Sequence, residues 1–365
     1  MAPMTNPRSL PEGFERDVPL GQFTTIGIGG PARFFVRAES VVALRESLEW
    51  AASQRIEPFI LGGGSNLLIA DEGFDGLVIQ IALRGVTVES EDRFVMVKAA
   101  AGEPWDPFVE SAVGHRWAGL ESLSGIPGSV GATPIQNVGA YGQDVRETIV
   151  RVEALDRQSG TVRWFTNAEC HFGYRRSLFK NETPNRYVIL SVVFRLEAGG
   201  EAVVRYPELQ RHLDEHGGAA GDLVSVREAV LAIRRRKGMV LDASDPDTRS
   251  DGSFFMNPIL TADAFIAFRR RAESIAGLEA KIPAFPADDG SVKLSAAWLI
   301  ERAGFQKGFV HGNAGLSSKH TLAVINRGGA TARDVLALVA MIQTTVRERF
   351  GVEIHPEPNF VGMSS

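Results

Sequence analysis

Residues 119–142 read GLESLSGIPGSVGATPIQNVGAYG. The run is rich in glycine, alanine and proline, so parts of its backbone are little shielded by side chains. A flat ring can approach such backbone closely. Upstream, Pro58-Phe59-Ile60-Leu61 has the apolar continuity of a buried strand and runs into Gly62-Gly63-Gly64-Ser65-Asn66. Successive N–H groups in a glycine loop after a strand form a nest for an anion such as a pyrophosphate. Two such loops in one half of the chain point to a large phosphate-bearing cofactor. Tight turns without a ligand are the plain alternative.

Outward from these loops the pattern mixes strands and helices. Residues 34–38 and 77–81 read as strands. Between them Ser40 is placed to cap a helix over 41–53, with Val41, Leu44, Leu48 and Ala51 on one face. A strand is expected at 94–100. Pro104 opens a helix that carries Trp105, Phe108, Val109, Ala112 and Val113, since proline is tolerated in a first turn. Strands follow at 150–155, 161–165 and 187–196. Residues 198–221 look like a hinge or insertion, and 224–236 is helical. The last third holds helices over 262–274, 294–303 and 332–350 and strands over 322–326 and 352–355. Thr331 and Asp334 stand in capping-box spacing before the final helix. The fold class is α+β (mixed α/β). The expected parts are a flexible tail (1–20), a first subdomain (21–85), a second (86–238, insertion near 198–221) and a third domain (239–365).

Composition narrows the function. The chain has 365 residues, enough for two or three domains at about 100–200 residues each. Hydrophobic residues make 44% and charged residues 23%, as in a soluble globular protein. The longest apolar run, 335–342, falls far short of the ~20 residues of a membrane helix. The N-terminus has no signal-peptide core. Thirty-nine basic against 44 acidic residues argue against a nucleic-acid partner. A single cysteine, Cys170, excludes an internal disulfide and a cysteine-based metal site. The expectation is a cytoplasmic protein that needs no metal, membrane or nucleic acid.

Several motifs tempt and fail. Gly27-Ile28-Gly29-Gly30-Pro31-Ala32 fits G-x-G-x-x-A, but Pro31 and a strand follow where a dinucleotide fingerprint needs a helix. His212 and His216 fit H-x-x-E-H on a short polar helix with no apolar face to bury it, which reads as a solvated surface. Arg234-Arg235-Arg236-Lys237 suits the end of a helix dipole or a small anionic ligand. Cys170 beside His171 reads as an inert, half-buried thiol.

Other stretches are specific. Thr25-Ile26-Gly27-Ile28-Gly29-Gly30, Leu61 through Leu67, Gly125-Ile126-Pro127-Gly128 and Pro134 through Gly142 are followed by Phe172-Gly173-Tyr174-Arg175. Then come Gly252-Ser253-Phe254-Phe255-Met256-Asn257-Pro258, Gly290 through Leu294, Ala297-Trp298-Leu299-Ile300 and Pro356-Glu357. In these stretches, collinear from about residue 20 to 360, the chain resembles the UDP-N-acetylenolpyruvoylglucosamine reductases (UDP-N-acetylmuramate dehydrogenases).

The resemblance implies a flavin fold of the vanillyl-alcohol-oxidase type, two subdomains holding FAD and a third domain for substrate. It implies that NADPH reduces the FAD and leaves. UDP-N-acetylglucosamine enolpyruvate then accepts the hydride and becomes UDP-N-acetylmuramate for peptidoglycan. FAD contacts are expected from Gly62, Gly63, Gly64, Ser65, Asn66, Ile126, Pro127, Gly128, Gln136, Asn137, Gly139 and Ala140. No histidine lies in these loops, so the FAD is expected to be non-covalent.

Three residues match the family's catalytic positions. Arg175 would clamp the substrate carboxylate, for which a planar guanidinium is suited. Glu357, if burial raised its pKa, would help hold the enolate-like species. Ser253 would donate the proton, aided by hydrogen-bonded neighbours; capping a helix is its structural alternative. Tyr206, Lys237 and Asn257 are expected at the substrate. The chain departs from the family in Phe23-Thr24, where asparagine is usual, and in Pro358-Asn359, where Val-Arg is usual. A monomer is expected. A flavin-dependent alcohol oxidase of the same fold and an anion-binding protein without a chromophore are the rivals.

Overall fold

The computed structural model describes residues 10–276, 282–287 and 290–363. The chain forms two compact units, both assembled from separate stretches. The first takes residues up to 18, Pro31–Gly64 and Phe74–Arg235; the second takes Pro19–Gly30, Ser65–Gly73 and the chain from 236 onward.

In the first unit, Pro31–Ala38 and Pro58–Leu61 both pair parallel with Phe74–Ile81, which lies between them. The helix Val41–Gln54 connects Pro31–Ala38 to Pro58–Leu61, and Phe14–Pro19 pairs on the far side of Pro31–Ala38. Ser40 caps it, accepting from the Ala43 N–H at 3.1 Å. An antiparallel sheet is built around Tyr187–Ala198, which pairs with Ile149–Asp156 on one side and Phe94–Ala100 on the other. Val162–Thr166 and Val86–Glu91 extend it outward. The helix Trp105–Gly114 buries the five apolar side chains its sequence pattern picks out. Pro104 stands one position earlier than expected, as the N-cap.

In the second unit the helix Ala332–Phe350 carries both halves of its capping box. It buries Val335, Leu338, Val339, Ile342 and Val346 in a core shared with Leu299, Ile300, Ile26, Ile28 and Leu68. The helices Ala262–Ala276 and Ala296–Ala303 and the three-stranded sheet of Val310–His311, Ala314–Leu316 and Val324–Asn326 complete it.

Four expectations change. The loose tail does not reach residue 20: Phe14–Pro19 is a strand, with the Phe14 ring edge-on to Trp50 at 4.8 Å and Val18 buried. Residues 1–9 of that expected tail lie outside the described residues. The stretch 21–85 is not one subdomain, because Ile26, Ile28 and Leu68 sit in the second core. The insertion at 198–221 contains the helix Pro207–His216, docked by Leu209 and Leu213. Each fully buried leucine contributes roughly 1.5–3 kcal/mol, so this helix does have an apolar face. Residues 352–355 bury Val352 and Ile354 in alternation but join no ladder; the strand is Asn359–Val361, parallel to Leu67–Ile69.

Candidate active site

The two glycine loops of the first unit meet. A Cβ on Gly63 would lie 2.5 Å from Gly128 Cα and 2.7 Å from its carbonyl carbon, so the backbones touch where no side chain fits. The Gly128 carbonyl accepts from the Trp105 N–H (3.0 Å), and the Val130 and Gly131 N–H groups donate to the Glu103 and Ala101 carbonyls. At the start of the run, Asp106 Oδ1 accepts from the Gly125 N–H at 2.6 Å. Arg227 donates to both Asp106 oxygens at 2.6 and 3.1 Å. Burial pushes the Asp106 pKa up, but the Arg227 and Gly125 hydrogen bonds outweigh it and hold the carboxyl below its usual range. Ile126 and Pro127 lie half-buried in this pinned segment.

Residues 133–144 form a helical turn and a hairpin. Thr133–Gln136 ends at Asn137, and Gly139–Ala140 pairs with Gln143–Asp144 across Tyr141 and Gly142. Those two residues have φ of 50° and 80°, the geometry of a type I′ turn. Tyr206 stands its ring edge-on to Tyr141 at 5.6 Å and is 42% exposed.

Arg175 is held on a strained turn. The Gly173 and Arg176 backbones bond each other in both directions (3.0 and 3.1 Å), and Arg175 between them has φ 54°. A side chain in this left-handed region costs roughly 1–3 kcal/mol and persists only where neighbours enforce it. Here they do. Asn137 Nδ2 donates to the Gly173 carbonyl at 2.8 Å, and Arg175 Nη2 donates to the Gly139 carbonyl at 3.1 Å. Beyond the turn, Ser177 Oγ donates to the Ile135 carbonyl and Lys180 Nζ to Gln136 Oε1. The arginine turn and the glycine-rich run thus form one hydrogen-bonded body.

The second unit places Ser253 and Glu357. The Phe254 N–H donates to the Leu322 carbonyl at 2.8 Å, and the Phe254 carbonyl accepts from the Glu357 N–H at 2.8 Å. Phe255 and Pro356 make an antiparallel bridge. The buried rings of Phe254 and Phe255 fix this pairing in the core. Asn66 Nδ2 donates to the Glu357 carbonyl at 3.3 Å, and the Asn66 carbonyl accepts from the Asn359 N–H at 3.0 Å. Ser253 and Glu357 are both half-buried. Ser253 caps no helix, which removes its structural alternative. Asn257 Oδ1 accepts from the Ala296 N–H at 2.9 Å and so serves the start of a helix. Lys237 is half-buried, just past the helix that ends at Arg236. Ser65 and Asn66 fall in this second unit, so the expected loop 62–66 is divided after Gly64.

A family model described as the UDP-N-acetylenolpyruvoylglucosamine reductase C-terminal domain matches residues 245–361, and an FAD binding domain model matches residues 32–166. The UDP-N-acetylenolpyruvoylglucosamine reductase of Thermobifida fusca is 49% identical over 353 residues, 96% of this chain and 99% of that one. The chain belongs to the UDP-N-acetylenolpyruvoylglucosamine reductase family. The reductase of Streptomyces coelicolor is 48% identical over 95% of this chain and 90% of its own length. In fold, the chain is similar to the crystal structure of the reductase from Thermus caldophilus, with TM-score 0.65 and 24% identity over 95% and 98% of the two chains.

The first unit fits the flavin that this reductase family uses. Asn137 is buried, and its Oδ1 has no hydrogen-bond partner among the described residues. A buried acceptor left open is costly unless a ligand donor, such as the imide N–H of a flavin ring, meets it. The contact of Gly63 with Gly128 leaves backbone without side chains beside it.

The other motifs find local structural explanations. Pro31–Ala38 is a strand where a dinucleotide fingerprint needs a helix. The His212 and His216 rings lie 4.0 Å apart, yet among the described residues no group of three or more ligand side chains could hold a metal. Cys170 is fully buried rather than half-buried, and burial pushes its thiol up to about 12, which leaves it inert. Among the described residues no helix is long and apolar enough to cross a membrane.

Two residues escaped the sequence reading. Asp106 offered a faint signal as an acid in the first turn of a helix. Asp251 offered none, since an acid in a polar loop reads as solvated; it is buried.

Proposed function

We propose that this protein reduces UDP-N-acetylglucosamine enolpyruvate to UDP-N-acetylmuramate with NADPH, in the synthesis of peptidoglycan. The observation that carries the reading is near-full-length identity of 49% to a reductase of this name, joined to a first unit whose glycine loops and open Asn137 acceptor fit a flavin.

Bound non-covalently, FAD supplies the hydride relay from NADPH to the enolpyruvyl double bond. Gly62, Gly63 and Gly64, with Ile126, Pro127 and Gly128, bring bare backbone to it. Ser65 adds an N–H and a hydroxyl. Asn137, Gly139 and Ala140 face its ring system; Gln136, tied to Lys180 Nζ, and Asn66 complete the contacts to it.

Arg175 binds the substrate carboxylate. As hydride reaches the double bond, further negative charge moves onto that carboxylate, and a fixed guanidinium stabilises this doubly charged, enolate-like form more than the singly charged ground state. The strain on its backbone is consistent with a side chain aimed for function rather than for folding. Glu357 steadies the enolate-like species. Ser253 delivers the proton to the remaining carbon. Tyr206 and Lys237 contact the nucleotide portion of the substrate, and Asn257 supports the Ser253 segment. We place the protein in the cytoplasm as a monomer.

An anaerobic visible spectrum tests this. The flavin bands should bleach with NADPH and return on adding UDP-N-acetylglucosamine enolpyruvate. Bleaching without return would reject the acceptor. A protein that takes up no FAD would reject the reading whole.

A further inference from the structure

Asp251 stands two residues before Ser253, and it is 7% exposed. Its Oδ1 accepts from the Thr25 hydroxyl at 3.1 Å. The Leu67 N–H lies beside the carboxyl and favours its charged form. Its Oδ2 is buried with no hydrogen-bond partner among the described residues. Thr25, Leu67 and Asp251 come from the three separate stretches that make up the second unit. The clasp therefore sits where those stretches meet.

Both site segments hang from it. Asn66, whose amide holds the Glu357 carbonyl, immediately precedes Leu67. On the other side, Ser250 Oγ accepts from the Gly252 N–H at 3.2 Å, and Gly252 takes φ 71° to turn the chain into Ser253. The anchored turn thus sets the backbone from which the serine projects.

We propose that Asp251, in its neutral acid form, is a positioning residue that holds the Ser253 turn and the Glu357 segment in register. The inference rests on the reading of Ser253 as proton donor. An ionised carboxylate here would be buried without a counter-charge: the groups acting on it are the Thr25 hydroxyl and the Leu67 N–H, and neither is charged. Burial raises its pKa to about 8, against the lowering effect of those two groups. Below that pH the acid is neutral and the clasp is closed. Above it, the charge draws the turn toward water.

The sign for stability follows. The folded protein holds a proton that the unfolded chain releases near 3.8. The stabilising effect of that proton is complete below about 3.8 and is lost as pH rises toward 8. Asp251→Asn keeps the shape and cannot ionise.

The experiment compares the parent, Asp251→Asn, Asp251→Val and Thr25→Val. Flavin reoxidation by the enolpyruvyl substrate and melting temperature are followed from pH 5 to 9.5. In the parent, reoxidation should fall through about pH 8. Asp251→Asn should stay within about threefold of the parent at pH 6.5 and lose that fall, while bleaching by NADPH matches in both. Its melting temperature should exceed the parent's by a margin that grows with pH and levels off above 8. Thr25→Val, which removes one clasp partner, should slow reoxidation severalfold and leave bleaching alone. Asp251→Val should slow it further; if that variant does not fold, Asn and Thr25→Val still decide. An alkaline fall with an unchanged midpoint in Asp251→Asn, or a melting margin independent of pH, would overturn the proposal. If the parent itself fails to reoxidise, the reaction assigned above is wrong, and the melting temperatures still judge the clasp.

Discussion

The backbone N–H of Glu357 donates to the carbonyl of Phe254 at 2.8 Å, across 102 intervening residues. With the Met256 N–H to His355 carbonyl bond (3.0 Å), it ties the Gly-Ser-Phe-Phe segment to the Pro-Glu-Pro segment. The proposed proton donor and the proposed acid are therefore neighbours by backbone pairing. Neither depends on a mobile loop, because Phe254 is fully buried and Phe255 nearly so.

Ser253→Ala should separate the two half-reactions. Bleaching by NADPH should continue at the parent's rate, while reoxidation by the enolpyruvyl compound slows roughly 10²-fold or more, as for a lost general acid. Stopped-flow absorbance at the flavin band reads both steps. Equal reoxidation rates would remove Ser253 from the role.

Arg175 offers a test of strain against function. Arg175→Gly should leave the protein as stable or up to about 1 kcal/mol more stable, since glycine adopts φ 54° without penalty. Turnover should collapse in the same variant. Arg175→Lys should also lose at least about tenfold in kcat/KM, because a point charge does not reproduce the fork. Urea unfolding and steady-state rates on one preparation suffice; near-normal turnover in either variant would count against the clamp.

Gly63→Ala should impair flavin binding. The new methyl would sit 2.5 Å from Gly128 Cα, so one of the two loops must move. Titration of the apoprotein with FAD, followed by quenching of flavin fluorescence, should show affinity weakened by about tenfold or more, the cost of a displaced anion nest. Unchanged affinity would mean that the contact between the loops is not part of the cofactor site.

Asp106→Asn should lower stability by about 1.5–3 kcal/mol, the worth of a charge-assisted hydrogen bond to an otherwise buried guanidinium. The Arg227 side chain is 9% exposed and would be left with Glu110 at 3.7 Å. The folded Asp106 pKa lies below 3.8, so this contribution is present at neutral pH and is lost as pH falls below about 3.8. Parent and variant should therefore converge in melting temperature in strong acid.

Much of this was readable in the one-dimensional chain, and the reasons are local. A helix announces itself by period and cap, as Ser40 does before Val41–Gln54 and as Thr331 and Asp334 do before Ala332–Phe350. Glycine-rich runs announce themselves because few other residues permit such backbone contact. The family's long motifs stand contiguous in the chain, so Arg175, Ser253 and Glu357 could each be named from the residues beside them.

Tertiary structure decided the rest, because pairing and burial depend on segments far away in the chain. No local pattern shows that Leu67–Ile69 pairs with Asn359–Val361, or that the loop 62–66 is shared between two units. The polar helix Pro207–His216 looked solvated until the core received Leu209 and Leu213. Asp251 is the sharpest case. Its sequence neighbours, Ser250 and Gly252, suggest an exposed turn, and only the convergence of Thr25 and Leu67 takes its carboxyl out of water. The sequence alone settled which chemical groups this protein carries and what family it belongs to; the fold decided which of those groups are shielded from solvent and which find hydrogen-bond partners, and these two effects together set their charge.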